Sequence, residues 1–236
     1  MSLKVRINVI MKQVNTIVFS DVHLGSPLAR AFELLSALKE YHYRRLIIVG
    51  DMFEDLNFKH LTSTHWELLE YIGKVSRRGV KVIWIEGNHD GKFLKFMTHM
   101  IGIPDRQRYI WEVGGKRFLA LHGHQFDNFL SKNHFLGRLL AAGYAFFQRS
   151  VSSHFLGFIS DRLADKWQRL SSQVAVMALA YAKKERCDVV ICGHTHFLDK
   201  VSSDGVTYYN LGSWNSKPSY LLVIEDNGNS RIEAIP

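Results

Sequence analysis

Five apolar runs in this chain end the same way, in glycine, aspartate or histidine. Thr16-Ile17-Val18-Phe19-Ser20 leads to Asp21-Val22-His23, and Leu46-Ile47-Ile48-Val49 to Gly50-Asp51. Val80–Ile85 runs into Gly87-Asn88-His89-Asp90, Arg117–Leu121 into His122-Gly123-His124, and Asp188–Cys192 into Gly193-His194-Thr195-His196. Short runs rich in Ile and Val read as strands buried on both faces, as in parallel sheets covered by helices. Such sheets take their ligands at the carboxyl ends of the strands. Asp51 alone would read as a turn residue after a core strand. Repetition at four other strand ends changes that reading, and a carboxylate with two oxygens can bridge two metal ions.

Between the runs the chain alternates with helical patterns. Ala29–Tyr41 carries Phe32, Leu35 and Leu38 at helical spacing, and a second helix is predicted from about Thr64 to Arg78, ended by Gly79. A short helix is expected near Lys92–Met100, then a hairpin of Tyr109–Val113 and Arg117–Leu121 around Gly114-Gly115. From about Gln125 to Arg186 the pattern is helical and rich in aromatics. Strands follow at Leu198–Ser202, Val206–Tyr209, Tyr220–Glu225 and Arg231–Ala234. Strand and helix in alternation imply crossover connections and a largely parallel sheet. The mixture suggests two packed sheets with helices outside, the second sheet partly antiparallel. Residues 1–236 read as a single domain, with a helical insertion or lid at about 125–186.

Neutral imidazole, carboxylate and amide oxygen suit borderline divalent ions such as Mn, Fe, Zn or Co. Asp-x-His and His-x-His can direct both side chains at one point only where a strand gives way to a loop, because a continuing strand alternates its faces. The neighbouring glycines let the backbone approach closely. Lys and Arg exceed Asp and Glu by 30 to 22, a formal charge of +8, which favours anionic partners. The two cysteines, Cys187 and Cys192, make no disulfide framework and point to a reducing compartment. The amino terminus has no long apolar core of a signal peptide, and no stretch approaches the roughly 20 apolar residues that span a bilayer. A cytoplasmic location is expected, peripheral at the inner membrane if the substrate is lipid.

Asp21-x-His23, Gly50-Asp51, Gly87-Asn88-His89-Asp90, His122 and Gly193-His194-x-His196 together resemble the signature of the calcineurin-like metallophosphoesterases, over residues 16 to 212. The resemblance implies an α/β fold, a four-layer αββα sandwich of two mixed sheets flanked by helices. It implies two divalent ions: Asp21, His23, Asp51 and His196 would hold one, and Asp51, Asn88, His122 and His194 the other. It also implies hydrolysis of a phosphoester or pyrophosphate by a metal-activated hydroxide. His89 would protonate the leaving group or hold a phosphoryl oxygen, with Asp90 orienting its imidazole. His124 is not counted as a ligand.

The substrate is less constrained. Between Asn128 and Ser160 the chain holds Phe135, Phe146, Phe147, Phe155 and several leucines, with Lys132, Arg138 and Arg149 and no acidic residue. A hairpin apolar on one side and basic on the other could cap a phosphorylated lipid; helical packing on the core uses the same residues. Arg138, Arg149, Phe146 and Phe147 are the candidate substrate contacts. Within the superfamily the chain is most similar to the UDP-2,3-diacylglucosamine pyrophosphatases of lipid A synthesis, which use manganese. The insertion after His122 and the Asn210-Leu-Gly-Ser-Trp214 run support this. Those enzymes have Arg in place of His89, and His89 matches the broader phosphoesterase pattern. A relative with the same scaffold and another phosphoester or pyrophosphate substrate is therefore at least an equal expectation. A nuclease or nucleotide phosphodiesterase is the alternative suggested by charge, with nucleic acid the less favoured partner. Oligomeric state is not legible.

Overall fold

The computed structural model describes residues 11–55, 57–90, 102–126 and 171–236. Two mixed sheets form the framework. One has the order β11-β10-β1-β2-β3-β4, built from Lys12–Phe19 (β1), Tyr41–Val49 (β2), Lys81–Ile85 (β3), Asp105–Arg106 (β4), Ser219–Ile224 (β10) and Ser230–Ile235 (β11). Strands β1 to β4 pair parallel, and β10 and β11 add antiparallel. The other sheet has the order β5-β6-β7-β9-β8, from Arg108–Val113 (β5), Lys116–Leu121 (β6), Val189–Cys192 (β7), Leu198–Ser203 (β8) and Val206–Leu211 (β9). Its middle strands β6, β7 and β9 are parallel, and its edges antiparallel.

The apolar runs lack polar alternation because each face of a strand meets a different layer. In β1, Ile17 and Phe19 face one hydrophobic cluster and Val18 faces another; in β2, Leu46 and Ile48 oppose Ile47 and Val49. The outer face of the first sheet packs on Leu34, Leu35 and Leu38 of α1 (Ala31–Lys39) and on Leu68, Leu69 and Ile72 of α2 (Ser63–Arg77). Between the sheets, Val18, Ile47, Val49 and Ile83 meet Phe118, Ala120, Val189 and Ile191. The outer face of the second sheet packs on Ala175, Ala178 and Ala182 of a third helix, α3, described over 171–184. The layers run helix, sheet, sheet, helix, as expected.

Helix α2 begins where a capping box forms: Thr62 Oγ1 accepts from His65 N at 3.4 Å and His65 Nδ1 accepts from Thr62 N at 3.3 Å. The hairpin falls on its expected glycines. Val113 pairs with Lys116, leaving Gly114 and Gly115 as a two-residue loop, both at positive φ as a type I′ turn requires. Strand β4 was not expected, since two residues carry no periodicity. The expected helix at Lys92–Met100 and residues 127–170 of the insertion lie outside the described residues. Residues 124–126 form a 3₁₀ turn.

The two hairpin glycines should differ in tolerance. A Cβ at Gly114 would stand 2.0 Å from the backbone carbon of Asn227, whereas one at Gly115 meets nothing within 4 Å. Gly115→Ala should cost only the left-handed backbone, about 1–2 kcal/mol. Gly114→Ala should cost clearly more, read as a larger drop in the urea midpoint.

Candidate metal centre

Each expected ligand sits in the loop past the carboxyl end of a strand, and five of the seven are on backbone that ordinary residues avoid. Asp21 (φ 52°), His23 (52°), Asp51 (47°), His194 (73°) and His196 (60°) are left-handed; among the described non-glycine residues only Arg186 and Asp204 join them. Such conformations cost about 1–3 kcal/mol each and persist only where the surroundings impose them. Here they turn each chain back after its strand, so that residues two apart reach the same point. Hydrogen bonds between the loops hold the turns: Asp21 N donates to Gly50 O (3.2 Å), His23 N to Asp51 O (3.0 Å), Leu24 N to Met52 O (2.8 Å) and Gly193 N to His122 O (3.0 Å).

The side chains converge. His122 Nε2 lies 3.2 Å from Asp51 Oδ2 and 3.1 Å from Asn88 Oδ1, and His194 Nδ1 lies 3.0 Å from the same Asn88 oxygen. His196 Nε2 stands 3.0 Å from His23 Nε2 and 3.4 Å from Asp21 Oδ1. One donor atom each of Asp21, His23 and His196 falls within 4.8 Å of the others, and likewise for Asp21, Asp51 and His122. All seven expected ligands are therefore brought together. The imidazole of His122 is oriented from behind: Nδ1 donates to Val49 O at 2.8 Å, and since a carbonyl only accepts, Nε2 is the atom left to face the carboxylates.

Asp21 and Asp51 are buried, 0% and 1% exposed. Burial alone would raise both carboxyls. Against it, His196 and His122 hold Asp21 below the carboxylate range, and His122, with His89 and His23, holds Asp51 well below it. Conversely, burial opposes charge on His122, but Asp51 beside it pushes this imidazole up to about 10. Two buried carboxylates thus demand positive charge at this point, and they obtain it from a proton on a nitrogen that would otherwise be a metal ligand.

Three glycines are space for these side chains. A Cβ on Gly193 would come within 2.1 Å of Asp21 Oδ2, on Gly87 within 2.1 Å of Asp51 Oδ1, and on Gly50 within 2.3 Å of His122 Nδ1. The donor set of buried carboxylates, amide oxygen and oriented imidazoles, packed so that no side chain could replace these glycines, fits divalent ions.

His89 keeps its expected place beside the cluster, its ring centroid 5.0 Å from that of His23. The partner expected for it is different. Asp90 does not orient the imidazole: its Oδ1 accepts from Phe53 N at 3.2 Å and its Oδ2 from Gly87 N at 3.3 Å, so the carboxylate closes its own loop. Burial, then the charge of Asp51, pushes Asp90 up to about 7. The ring of His89 is instead held by Glu54, whose carbonyl accepts from Nδ1 at 2.9 Å. Backbone direction at a residue three positions from Asp51 has no signature in sequence, and the Asp90 role came only with the family resemblance.

Two further residues escaped the sequence reading. Glu54 Oε2 lies 2.9 Å from His23 Nδ1. Asn210, fully buried, donates to Gly193 O at 2.7 Å and to Thr195 Oγ1 at 3.0 Å, and its Oδ1 accepts from Gly212 N at 3.1 Å. It clamps the loop that carries His194 and His196. Ser213 and Trp214 of the same segment bind Asp21 O through Oγ (3.2 Å) and N (2.9 Å). In sequence the segment shows only as part of the family likeness, and an acidic residue three positions after Asp51 is the available signal for Glu54. Arg138, Arg149, Phe146 and Phe147 lie outside the described residues.

Residues 14–227 match the calcineurin-like phosphoesterase superfamily domain, and the chain belongs to that superfamily. Among solved structures it is similar to an archaeal phosphodiesterase at 15% identity, covering 93% of this chain and 98% of that one, with a TM-score of 0.53. It is also similar to YfcE, a phosphoesterase from E. coli, at 16% identity over 94% and 99% of the two chains, with a TM-score of 0.50. At these identities the likeness shows the shared fold. No curated protein sequence matches significantly.

Gly193→Ala should displace the Asp21 carboxylate and weaken divalent-ion binding by roughly 10–100-fold, the range for disturbed ligand support. Gly79→Ala, where a Cβ meets nothing within 4 Å, should leave ion affinity unchanged. Titration calorimetry with manganese compares the two.

Proposed function

We propose that this protein is a two-metal hydrolase of phosphoesters or pyrophosphates. The observation that carries this reading is the convergence of seven metal-type donors from five strand ends on two buried carboxylates. In this reading Asp21, His23, Asp51 and His196 hold one ion and Asp51, Asn88, His122 and His194 the other, Asp51 being shared. Bound divalent ions supply Lewis acidity, offsetting charge on a phosphoryl group and lowering the pKa of water.

The chain's own residues do the rest. The Asp51 Oδ1 accepts from His89 N at 2.8 Å, so the loop bearing His89 is tied to the shared ligand. With Nδ1 of His89 engaged by the Glu54 carbonyl, Nε2 is the ring atom free to meet substrate. As the imidazolium, with a second proton on Nε2, His89 would give that proton to the departing oxygen or hold a phosphoryl oxygen with it. The net charge of +8 draws anionic substrate toward the site.

Within that class we take UDP-2,3-diacylglucosamine, or a related nucleotide or lipid pyrophosphate, as the leading substrate and manganese as the leading ion. The support is the apolar and basic composition of the segment inserted within 125–186 of an otherwise single domain, and the Asn210–Trp214 motif. A lipid substrate would bring the protein to the inner membrane as a peripheral guest from the cytoplasm; among the described residues no helix is long and apolar enough to cross one.

Manganese-loaded protein should hydrolyse bis(p-nitrophenyl) phosphate or UDP-2,3-diacylglucosamine, and Asp51→Asn should abolish it. Turnover of neither, with Asp51→Asn indistinguishable from wild type, ends this reading. His89→Ala should retain both ions and slow kcat by about 10²–10⁴-fold. DNA cleavage in place of pyrophosphate cleavage would favour the phosphodiesterase alternative.

Ion affinity should also depend on pH. His122 is held above its ordinary value, up to about 10, by Asp51, and an ion must displace that proton to bind Nε2. Affinity should therefore rise from pH 6 to 9, with proton release seen as buffer-dependent binding enthalpy. In ion-free protein the His122–Asp51 pair stabilises the fold fully below the imidazole's ordinary value, and that contribution is lost as pH rises through about 10.

A further inference from the structure

We propose that Glu54 is a positioning residue acting on both sides of the site at once: its carboxylate sets the ring state of His23, and its carbonyl sets that of His89. This inference rests on the two-metal reading. Glu54 Oε2 is 2.9 Å from His23 Nδ1, and Glu54 O accepts from His89 Nδ1 at 2.9 Å. A carboxylate and a carbonyl can only accept, so each interaction keeps its imidazole's proton on Nδ1. His23 then turns Nε2 inward, 3.0 Å from His196 Nε2, and in His89 Nε2 is the ring nitrogen that the Glu54 carbonyl leaves unengaged. The two rings meet edge to face, their centroids 5.0 Å apart.

The position of Glu54 is set by its backbone. Glu54 N donates to Leu24 O at 3.0 Å, beside the Leu24–Phe53 bridge and the bond from Leu24 N to Met52 O. The loop after Asp51 is thereby stitched to the loop after Asp21, which carries His23. The carboxylate oxygen comes within 2.9 Å of Nδ1 but off the N–H axis, a charge contact and not a formed hydrogen bond. His23 in turn holds the Glu54 carboxyl below its usual range. The Glu54 side chain is 40% exposed, so replacing it removes little packing.

The two halves of this role separate by mutation, because substitution of the side chain leaves the carbonyl in place. Glu54→Ala should weaken the ion held by His23 by roughly 10–100-fold and leave the other site unchanged, so that manganese calorimetry becomes biphasic. At saturating manganese, kcat on bis(p-nitrophenyl) phosphate should return to near wild type, since His89 is still held. Glu54→Gln, which retains an acceptor oxygen, should recover most of the affinity. In ¹⁵N-histidine spectra His23 should report an Nδ1–H tautomer in wild type and lose that preference in Glu54→Ala. Wild-type affinity at both sites in Glu54→Ala, or a kcat loss that saturating manganese does not restore, overturns the proposal. Its failure is distinct from failure of the two-metal reading, in which wild type itself would bind no manganese.

Discussion

Two carboxylates in the interior, Asp21 and Asp51, impose the central constraint on this molecule. A buried carboxylate is costly unless opposite charge or hydrogen bonds answer it. Here the answer comes from imidazoles: His122 and His196 against Asp21, and His122, His89 and His23 against Asp51. The left-handed turns, the glycines without room for a Cβ, and the loop-to-loop hydrogen bonds all serve to bring those rings to the two acids. A divalent cation bound at this place would answer the same two charges that the proton on His122 answers with less.

The sandwich makes that meeting possible. Parallel strands β1, β2 and β3 of one sheet and β6 and β7 of the other release their chains at one end, and the shared apolar layer between the sheets fixes the distance between the two sets of loops. Val49 illustrates the coupling: its side chain packs in the inter-sheet layer while its carbonyl orients His122 from the opposite sheet. Packing there is therefore also ligand geometry. Asn210 does the same at the next strand, tying β9 to the loop after β7.

Much of this could be read before any coordinates. The unbroken apolar runs announced strands covered on both faces, the paired glycines placed the hairpin turn, and the polar strand ends named the seven side chains that the fold brings together. The failures share one cause. The resemblance implies that Asp90 orients the His89 ring, yet hydrogen bonding is decided by direction, and Asp90 accepts from Phe53 N and Gly87 N. The carbonyl of Glu54 and the amide of Asn210 were missed because a backbone group carries no residue identity and a buried asparagine has no periodicity.

Residue type and order along the chain were sufficient to fix the layers and to nominate the ligands, because burial on two faces and metal affinity are properties of side chains. Which oxygen faces which ring was decided only by tertiary structure. Residues as distant in sequence as His23 and His196, or Val49 and His122, acquire a common position only when two sheets pack together and the strained turns at their ends are held in place.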